Sequence, residues 1–446
     1  MTTVVARGQQ GAQAAAWALG GAAAAAAIGI LGGIAPQYAA VVAAGAVFVG
    51  LVFNIPATVL SVALLALAVS PEYLGPSAGV LARPELQKGL LYASLLPIVL
   101  LRGVRWSMAL PVFAYVIAAT LTVVLGHRAA NLSTSQMLSS FATLVIGWLA
   151  LSVRWVWPRD LRYLKVVAAL PIASLVIGVV LQGIGMHTLV AHGSGVGRLQ
   201  GASIAAQLAL TSLVSATSAY VLYRQFRWRP APYLLAADAA ILVATFSRGA
   251  MIALAIVLLI PLLRFVIAPL VRRPRVAVAR AVTAVVVLGV ATAAVAPTIA
   301  ARNDKGFYIP GQGFQADTTS GRSEAWKEFY AIAKQSPLFG HGLGSGPITK
   351  IHQQGFLAQH NEYLRFYLEN GYVGGILILL SIIIVVTRAV RLAPRRIRID
   401  LTLAVLAIAV LSATDNTLTS VNLTLPLGLL LGICSSGRHR PRIDAA

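Results

Sequence analysis

The stretch QHNEYLRFYLENGYVGGILILLSIIIVVTRAVRLAPRRIR (359–398) sets the reading of the whole chain. It starts polar, runs through an apolar segment at 371–387, and ends on Arg388, Arg391, Arg395, Arg396 and Arg398. A helix needs about 20 mostly apolar residues to cross a bilayer, and Lys and Arg are retained on the cytoplasmic side. This one segment therefore supplies a span and its direction, polar end outside and basic end inside.

The remainder of the chain repeats that pattern. Of 446 residues, 58% are hydrophobic and 11% charged, with a mean hydropathy of +0.81. A soluble chain carries roughly twice that charged fraction, and a disordered one is far less apolar. Further apolar runs lie near 12–34, 38–53, 56–70, 89–101, 107–125, 136–153, 166–185, 202–222, 231–246, 249–268, 281–299, 399–413 and 419–435. The expected fold is an all-α polytopic membrane protein of about 12–14 transmembrane helices, the shortest runs (56–70 and 89–101) leaving the count open. The first run feeds directly into further spans, so it reads as an uncleaved helix rather than a signal peptide.

With the amino terminus inside and the spans alternating, 23 of the 35 Lys and Arg fall inside and 12 outside, while nine of the 13 carboxylates fall outside. The inner side carries +19 and the outer side +3 of the formal +22. Such a charge in a soluble protein would suggest nucleic acid. Here the clusters are short membrane-edge loops such as RWVWPRDLRYLK (154–165), whose expected neighbour is anionic lipid, not nucleic acid. The single cysteine, Cys434, sits in the last apolar run, so no internal disulfide or Cys-rich metal site can form. The chain divides into transmembrane helices with short loops (1–300), one large outer loop containing short helices (301–370), C-terminal transmembrane helices (371–435) and a basic cytoplasmic tail (436–446).

A long polar excursion in so economical a chain is where function is expected, and six of the seven histidines are also outside. Within it, TTSGRSEAWKEFYAIAKQSP reads as an amphipathic helix, with Ser320 or Gly321 as cap, Trp326, Phe329, Tyr330 and Ala333 as apolar face, and Pro337 as terminator. The following LFGHGLGSG (338–346), with Gly342 and Gly344, is either a flexible turn or a nest of backbone N–H groups for an anion. Residues 303–318 have no assignable pattern.

At about 100° per residue, His360 and Gly371 are separated by about 1100°, so a helix would bring them nearly into register, with Tyr363, Leu364, Tyr367 and Gly374 on the same face. Gly371 and Gly374 would admit a neighbouring helix and fix the imidazole above a crevice. A neutral imidazole there can accept a proton from a hydroxyl; the alternative is an interfacial histidine bonded to the outer loop. Arg248, in TFSRGAM between two apolar runs, needs a counter-charge or ligand at the outer end of a hairpin. It either binds phosphate oxygens or snorkels to headgroups. Arg322 and Arg198, the latter in GRLQGAS, are similar candidates. Arg365 reads as structural, ion-paired on the surface with Glu362 and Glu369. Asp238 lies inside a span about 15 Å below Arg248 if both share one helix, as a relay acid or as a carboxylic acid hydrogen-bonded to a neighbouring helix.

Taken together, GRLQGAS (197–203), SRGAM (247–251), SGRSEAW (320–326), SPLFGHGLGSG (336–346) and HNEYLRFYLENGYVGG (360–375) resemble, in order and spacing, the O-antigen ligase and O-antigen polymerase superfamily. The pattern His360-Asn361, nine residues, Gly371, two residues, Gly374 carries the resemblance most specifically. It implies a membrane glycosyltransferase of surface polysaccharide biosynthesis, in the bacterial inner membrane. Such an enzyme passes a glycan from polyprenyl (undecaprenyl) pyrophosphate to an acceptor hydroxyl, on lipid A core or on a second repeat unit, at the outer face without metal or cofactor. His360 then matches the histidine acting on the acceptor hydroxyl or the leaving group, and Arg248 and Arg322 match the arginines that hold pyrophosphate. Ile252 stands where the family often has Leu, and the family core has nearer twelve spans. A lipid-linked-glycan flippase is the reading from another class; it predicts an internal repeat and a charged path at the midplane, and neither is visible in the sequence.

Overall fold

The computed structural model describes residues 54–71, 84–127, 131–193, 196–267, 307–309, 313–315, 322–346 and 360–437, with residues 51, 129, 278, 282 and 296 as isolated positions. Twelve α-helices, three short 3-10 helices and two small hairpins make up the regular structure of these residues. In chain order the helices are α1 (Pro56–Leu65), α2 (Pro84–Arg102), α3 (Leu110–Leu125), α4 (Thr134–Ser152), α5 (Leu161–Gly183), α6 (Ala205–Phe226), α7 (Ala231–Ala244), α8 (Arg248–Ile267), α9 (Arg322–Ala333), α10 (Glu362–Leu392), α11 (Arg398–Ser412) and α12 (Val421–Ser435). The protein is an all-α polytopic membrane protein.

The apolar runs read from the sequence become helices with bounds shifted by a few residues. Four of them, α4, α5, α6 and α10, are long and apolar enough to cross a membrane; α3, α7, α12 and the stretch 56–68 are apolar but shorter. The runs at 12–34, 38–53 and 281–299, and most of the tail at 436–446, lie outside the described residues.

Side-chain bonds at the helix ends sort the bundle into two poles. At one, Arg102 pairs with Asp160, Arg264 with Asp400 (2.7 Å), and Arg105 donates to Leu151 O (2.9 Å) and Ser435 Oγ (3.0 Å). At the other, Arg198 reaches Thr245, Arg322 reaches Thr414 and His360 reaches Asp415. Helices α3 to α8, and again α10 to α12, run between these poles in alternation, while the short α9 stays at the second pole. Two hairpins lie in the connections: β1 (Val190–Gly193) pairs with β2 (Val196–Leu199), and β3 (Phe307–Ile309), within the stretch 303–318 that has no assignable sequence pattern, with β4 (Gly313–Gln315), both antiparallel.

Helix α6 forms the centre, buried along most of its length, including Thr211, Ser212, Ser215, Thr217 and Ser218. Its hydroxyls are partly absorbed by helix carbonyls, as in Ser215 Oγ to Val167 O at 2.6 Å. Helix α12 is buried throughout, Cys434 included. It approaches α4 so closely that a Cβ on Gly428 would collide with the Gly147 carbonyl, while one on Gly147 would collide with the Thr424 backbone. Small residues at a helix crossing let two backbones gain dispersion contact that larger side chains would prevent. Gly428→Ala is therefore expected to lower stability by about 1–3 kcal/mol, read as a drop in the thermal midpoint of the detergent-solubilised protein; an unchanged midpoint would refute this packing.

Candidate functional site

Helix α10 is not continuous. Gly371 has φ +63° and ψ −170°, which interrupts the helix between its polar first turns and its apolar length. Only glycine adopts that conformation at low cost. The break frees the N–H groups of Tyr372 and Val373 and the carbonyls of Leu368 and Glu369, which would pair with each other in an unbroken helix. All four are satisfied by one loop. Tyr372 N donates to Pro337 O (2.8 Å) and Val373 N to Leu338 O (3.1 Å), while His341 N donates to Leu368 O and Gly342 N to Glu369 O, both at 2.9 Å.

The glycine-rich segment 338–346 is thus neither a flexible turn nor an open anion nest. Residues 340–346 are buried, and the Gly342 nitrogen is already bonded to α10. A Cβ on Gly340 would meet the Glu369 and Asn370 backbone at 2.5 Å, on Gly342 the Leu132 side chain at 2.6 Å, and on Gly344 Ser140 Oγ at 2.5 Å. His341 pins the same loop to its surroundings, with Nδ1 3.1 Å from the His127 carbonyl and Nε2 2.9 Å from that of Ile332.

The break also revises the helical register proposed for His360. His360 lies just before α10 with φ +46°, and Asn361 is the cap, its Oδ1 accepting the Leu364 N–H at 3.0 Å. Gly371 faces the backbone of Leu338 and Phe339, a loop and not a helix, while Gly374 does admit one: its Cβ would lie 3.0 Å from Ala118 Cβ on α3. What fixes His360 is an element outside the expected stripe. Asp415, in the turn between α11 and α12, accepts from His360 Nδ1 at 3.3 Å and from the Asn416 N–H at 2.8 Å.

Around Asp415 the structure gathers all three arginines singled out in the sequence. Arg322, the first residue of α9, donates to the Thr414 carbonyl and interacts electrostatically with Asp415 and Arg248. Arg198, on β2, donates from Nε to Thr245 O at 2.9 Å and interacts with Asp415 and Arg322. Arg248 opens α8 after the turn Thr245–Ser247, and Gly249 beside it leaves space for Leu411 of α11 and for Thr414 in the turn that follows α11. That turn separates α7 from α8, so Asp238 and Arg248 do not share a helix as expected. Nor does Asp238 bond to a neighbouring helix: it is fully buried, and neither oxygen has a hydrogen-bond partner among the described residues.

Charge at the site is unbalanced. Burial pushes the Arg198 and Arg322 guanidinium groups below their ordinary range, Asp415 opposes the shift, and the neighbouring arginines reinforce it. Burial would raise the Asp415 carboxyl, but His360, the Asn416 N–H and Arg322 outweigh it and hold the group below the usual carboxylate range. Asp415 interacts with Arg198 and Arg322, and Arg248 with Arg322, so guanidinium groups outnumber the carboxylate, a balance suited to a multiply charged anion.

Behind His360 lies a second constellation. Arg365 forks onto Glu369 (Nε–Oε1 2.9 Å, Nη2–Oε2 3.0 Å) and reaches Glu362 Oε1 at 3.1 Å. The partners are those the sequence spacing predicts, but the expected surface location is wrong: Glu362, Arg365 and Glu369 are 0%, 5% and 1% exposed. The short helix α9 packs over this region through Ala325, Phe329 and Ala333 against Leu368. Tyr330 of its expected apolar face is exposed, and the helix ends at Ala333, ahead of Pro337. Ser320 and Gly321, the expected caps, lie outside the described residues.

The architecture and site define a helical membrane protein with a cationic, histidine-bearing pole. Residues 233–379, about a third of the chain, match the family model described as O-antigen ligase, which supports the resemblance to the O-antigen ligase and polymerase superfamily. The matched segment contains Arg248, Arg322, the glycine-rich loop, His360, Gly371 and Gly374; Arg198 and Asp415 lie outside it and are brought to the site by the fold. No curated protein matches the chain.

Two outcomes follow. Arg365→Met leaves two buried carboxylates without their cation and is expected to cost about 3–5 kcal/mol, measured by denaturant unfolding in detergent. Stability contributed by Asp415, whose folded value lies below the unfolded value of about 3.9, is present above about pH 4 and lost as pH falls through the folded value. A thermal-midpoint titration should show that acid-side loss diminished in Asp415→Asn.

Proposed function

We propose that this protein is a membrane glycosyltransferase that moves a glycan from a polyprenyl pyrophosphate carrier to an acceptor hydroxyl, on the outer face of the bacterial inner membrane. The observation that carries this reading is the convergence of Arg198, Arg248 and Arg322 on the turn whose Asp415 holds His360. The family match supports a glycosyltransferase-like enzyme with a lipid-linked glycan donor. The concentration of Lys and Arg at the opposite pole supports an outward-facing site.

In the proposed reaction the acceptor oxygen attacks the anomeric carbon while the bond from that carbon to the pyrophosphate oxygen breaks, inverting the centre. The hydroxyl proton passes to His360 Nε2. Asp415 occupies Nδ1, which sets the tautomer and leaves Nε2 free to act as base. The three guanidinium groups stabilise the charge that accumulates on the departing polyprenyl pyrophosphate, the role of fixed donors at a developing anion. Because permanently charged arginines supply that stabilisation, the transfer needs no metal. The acceptor is lipid A core in a ligase and a second repeat unit in a polymerase.

Purified protein with a defined polyprenyl-pyrophosphate glycan donor tests this. His360→Ala should lower the rate about 10²–10⁴-fold with donor binding retained, whereas Arg248→Ala or Arg322→Ala should lower it about 10²–10³-fold. Chelator should leave the wild-type rate unchanged. Wild-type turnover by the well-folded His360 and Arg248 variants, or movement of the carrier across a vesicle without covalent transfer, would refute the proposal.

A further inference from the structure

The basic pole, opposite the histidine, holds charge that its own acids do not balance. Its buried carboxylates are taken, Asp160 by Arg102 and Asp400 by Arg264. Arg105, in the α2–α3 connection, has no acid. Its Nη1 donates to Ser435 Oγ (3.0 Å) and its Nη2 to the carbonyls of Leu151 (2.9 Å) and Gly432 (3.3 Å), while the buried Nε has no hydrogen-bond partner among the described residues. Two further arginines stand beside it. Val104 and Val153 form an antiparallel bridge, closed by Arg105 N to Ser152 O (2.7 Å) and Arg154 N to Gly103 O (3.2 Å), which makes Arg105 and Arg154 diagonal neighbours. Residues 106–108 pack against α10, which carries Arg388. Burial pushes the Arg105 guanidinium down to about 10, and Arg388 and Arg154 push it the same way. Both of these are exposed, and neither pairs with a carboxylate among the described residues.

We propose that Arg105, Arg154 and Arg388 form a binding site for the headgroup phosphate of one anionic membrane lipid. A half-buried cation pinned only to neutral acceptors is costly without a counter-charge, and guanidinium forks match phosphate oxygens. Arg105 is the fixed member of the trio, and the exposed Arg154 and Arg388 meet the anion from the open side. The surface beside them favours a lipid over a soluble anion. Leu110, Phe113 and Ile117 are exposed on one face of α3, which begins five residues after Arg105. On α10, exposed Leu380 and Ile384 lead to Arg388 at one-turn intervals. Trp106 is 70% exposed with its ring 6.1 Å from that of Phe113, the placement of an aromatic side chain at headgroup level. Acyl chains and headgroup thus each meet a matching surface. Attraction of basic edge loops to an anionic bilayer is diffuse, whereas Arg105 is held in one place by the ends of α4 and α12. A phosphate on it joins those ends to the α2–α3 connection and to α10.

The test needs no transfer reaction, so it stands apart from the glycosyltransferase reading. Native mass spectrometry of the full-length protein, delipidated in a mild non-ionic detergent, reads lipid retention directly. Phosphatidylglycerol should bind as a single tight adduct, with zwitterionic phosphatidylethanolamine and inorganic phosphate each weaker by about tenfold or more. Arg154→Gln combined with Arg388→Gln should weaken phosphatidylglycerol binding about 10–30-fold, the size expected for two arginines beside an anionic headgroup. Arg395→Gln combined with Arg396→Gln removes the same charge from exposed positions at the same pole and should change binding by less than about twofold, because charge outside the trio is screened. If the first double variant does not fold, Arg388→Gln alone should still weaken binding about 3–5-fold, and unchanged binding overturns the idea. Equal losses in the two double variants would reduce the effect to bulk charge. Equal retention of phosphatidylethanolamine would remove the need for net charge, and inorganic phosphate binding as tightly would make the ligand a soluble anion. Each of these three results overturns the proposal.

Discussion

The reciprocal backbone exchange at Gly371 is the constraint from which the site follows. Two donors and two acceptors freed by the break in α10 are matched by two acceptors and two donors of the 337–342 loop. In a membrane protein, backbone that leaves a helix must find its partners within the protein, and this loop meets that requirement in full. The exchange joins α10 to the end of α9, and His341 extends the junction to the connection after α3. Arg322 at the start of α9 and His360 at the start of α10 are thereby held at fixed separation, although 38 positions divide them in sequence. A chain able to continue helically through position 371 would draw the loop away and release both.

The second organising feature is the segregation of charge within the site pole. Permanent cations stand on β2, α8 and α9, and the acids stand on α10 and the α11–α12 turn. In the proposed reaction a donor with two phosphates would call on the cations, and a histidine that takes up a proton would call on the acids. Placing them in one array without mutual neutralisation requires that the pairs be unequal. Arg365 is wholly engaged by its two glutamates inside the protein, and Arg198 and Arg322 donate to backbone carbonyls of Thr245 and Thr414. Their charge therefore remains available to an anion.

Much of this was legible in the sequence because hydropathy and arginine placement are local signals. The apolar runs after residue 84 correspond to helices wherever the structure describes them, and Arg198, Arg248, Arg322 and His360 do converge. Other features were not legible. Helical geometry applied through 360–374 assumed a continuous helix, and the glycine that was read as a smooth packing surface is the point where the helix stops. Spacing identified the partners of Arg365 but could not report burial, since an i,i+4 pair looks the same on a surface and in a core. Asp415 carried no motif signal, being a lone acid in a short turn 55 residues beyond His360.

Composition and pattern alone thus determined the membrane class, the alternation of helices and the pole at which polar chemistry collects, because burial of apolar length and retention of positive charge depend on residue type. The identity of the counter-charges was decided only in three dimensions. Which carboxylate orients His360, how deeply the Arg365 pairs are buried behind it, and which backbone groups a broken helix shares with a loop depend on contacts between segments far apart in the chain. Their energies depend on distance and exclusion of water, and neither is written in any one stretch of sequence.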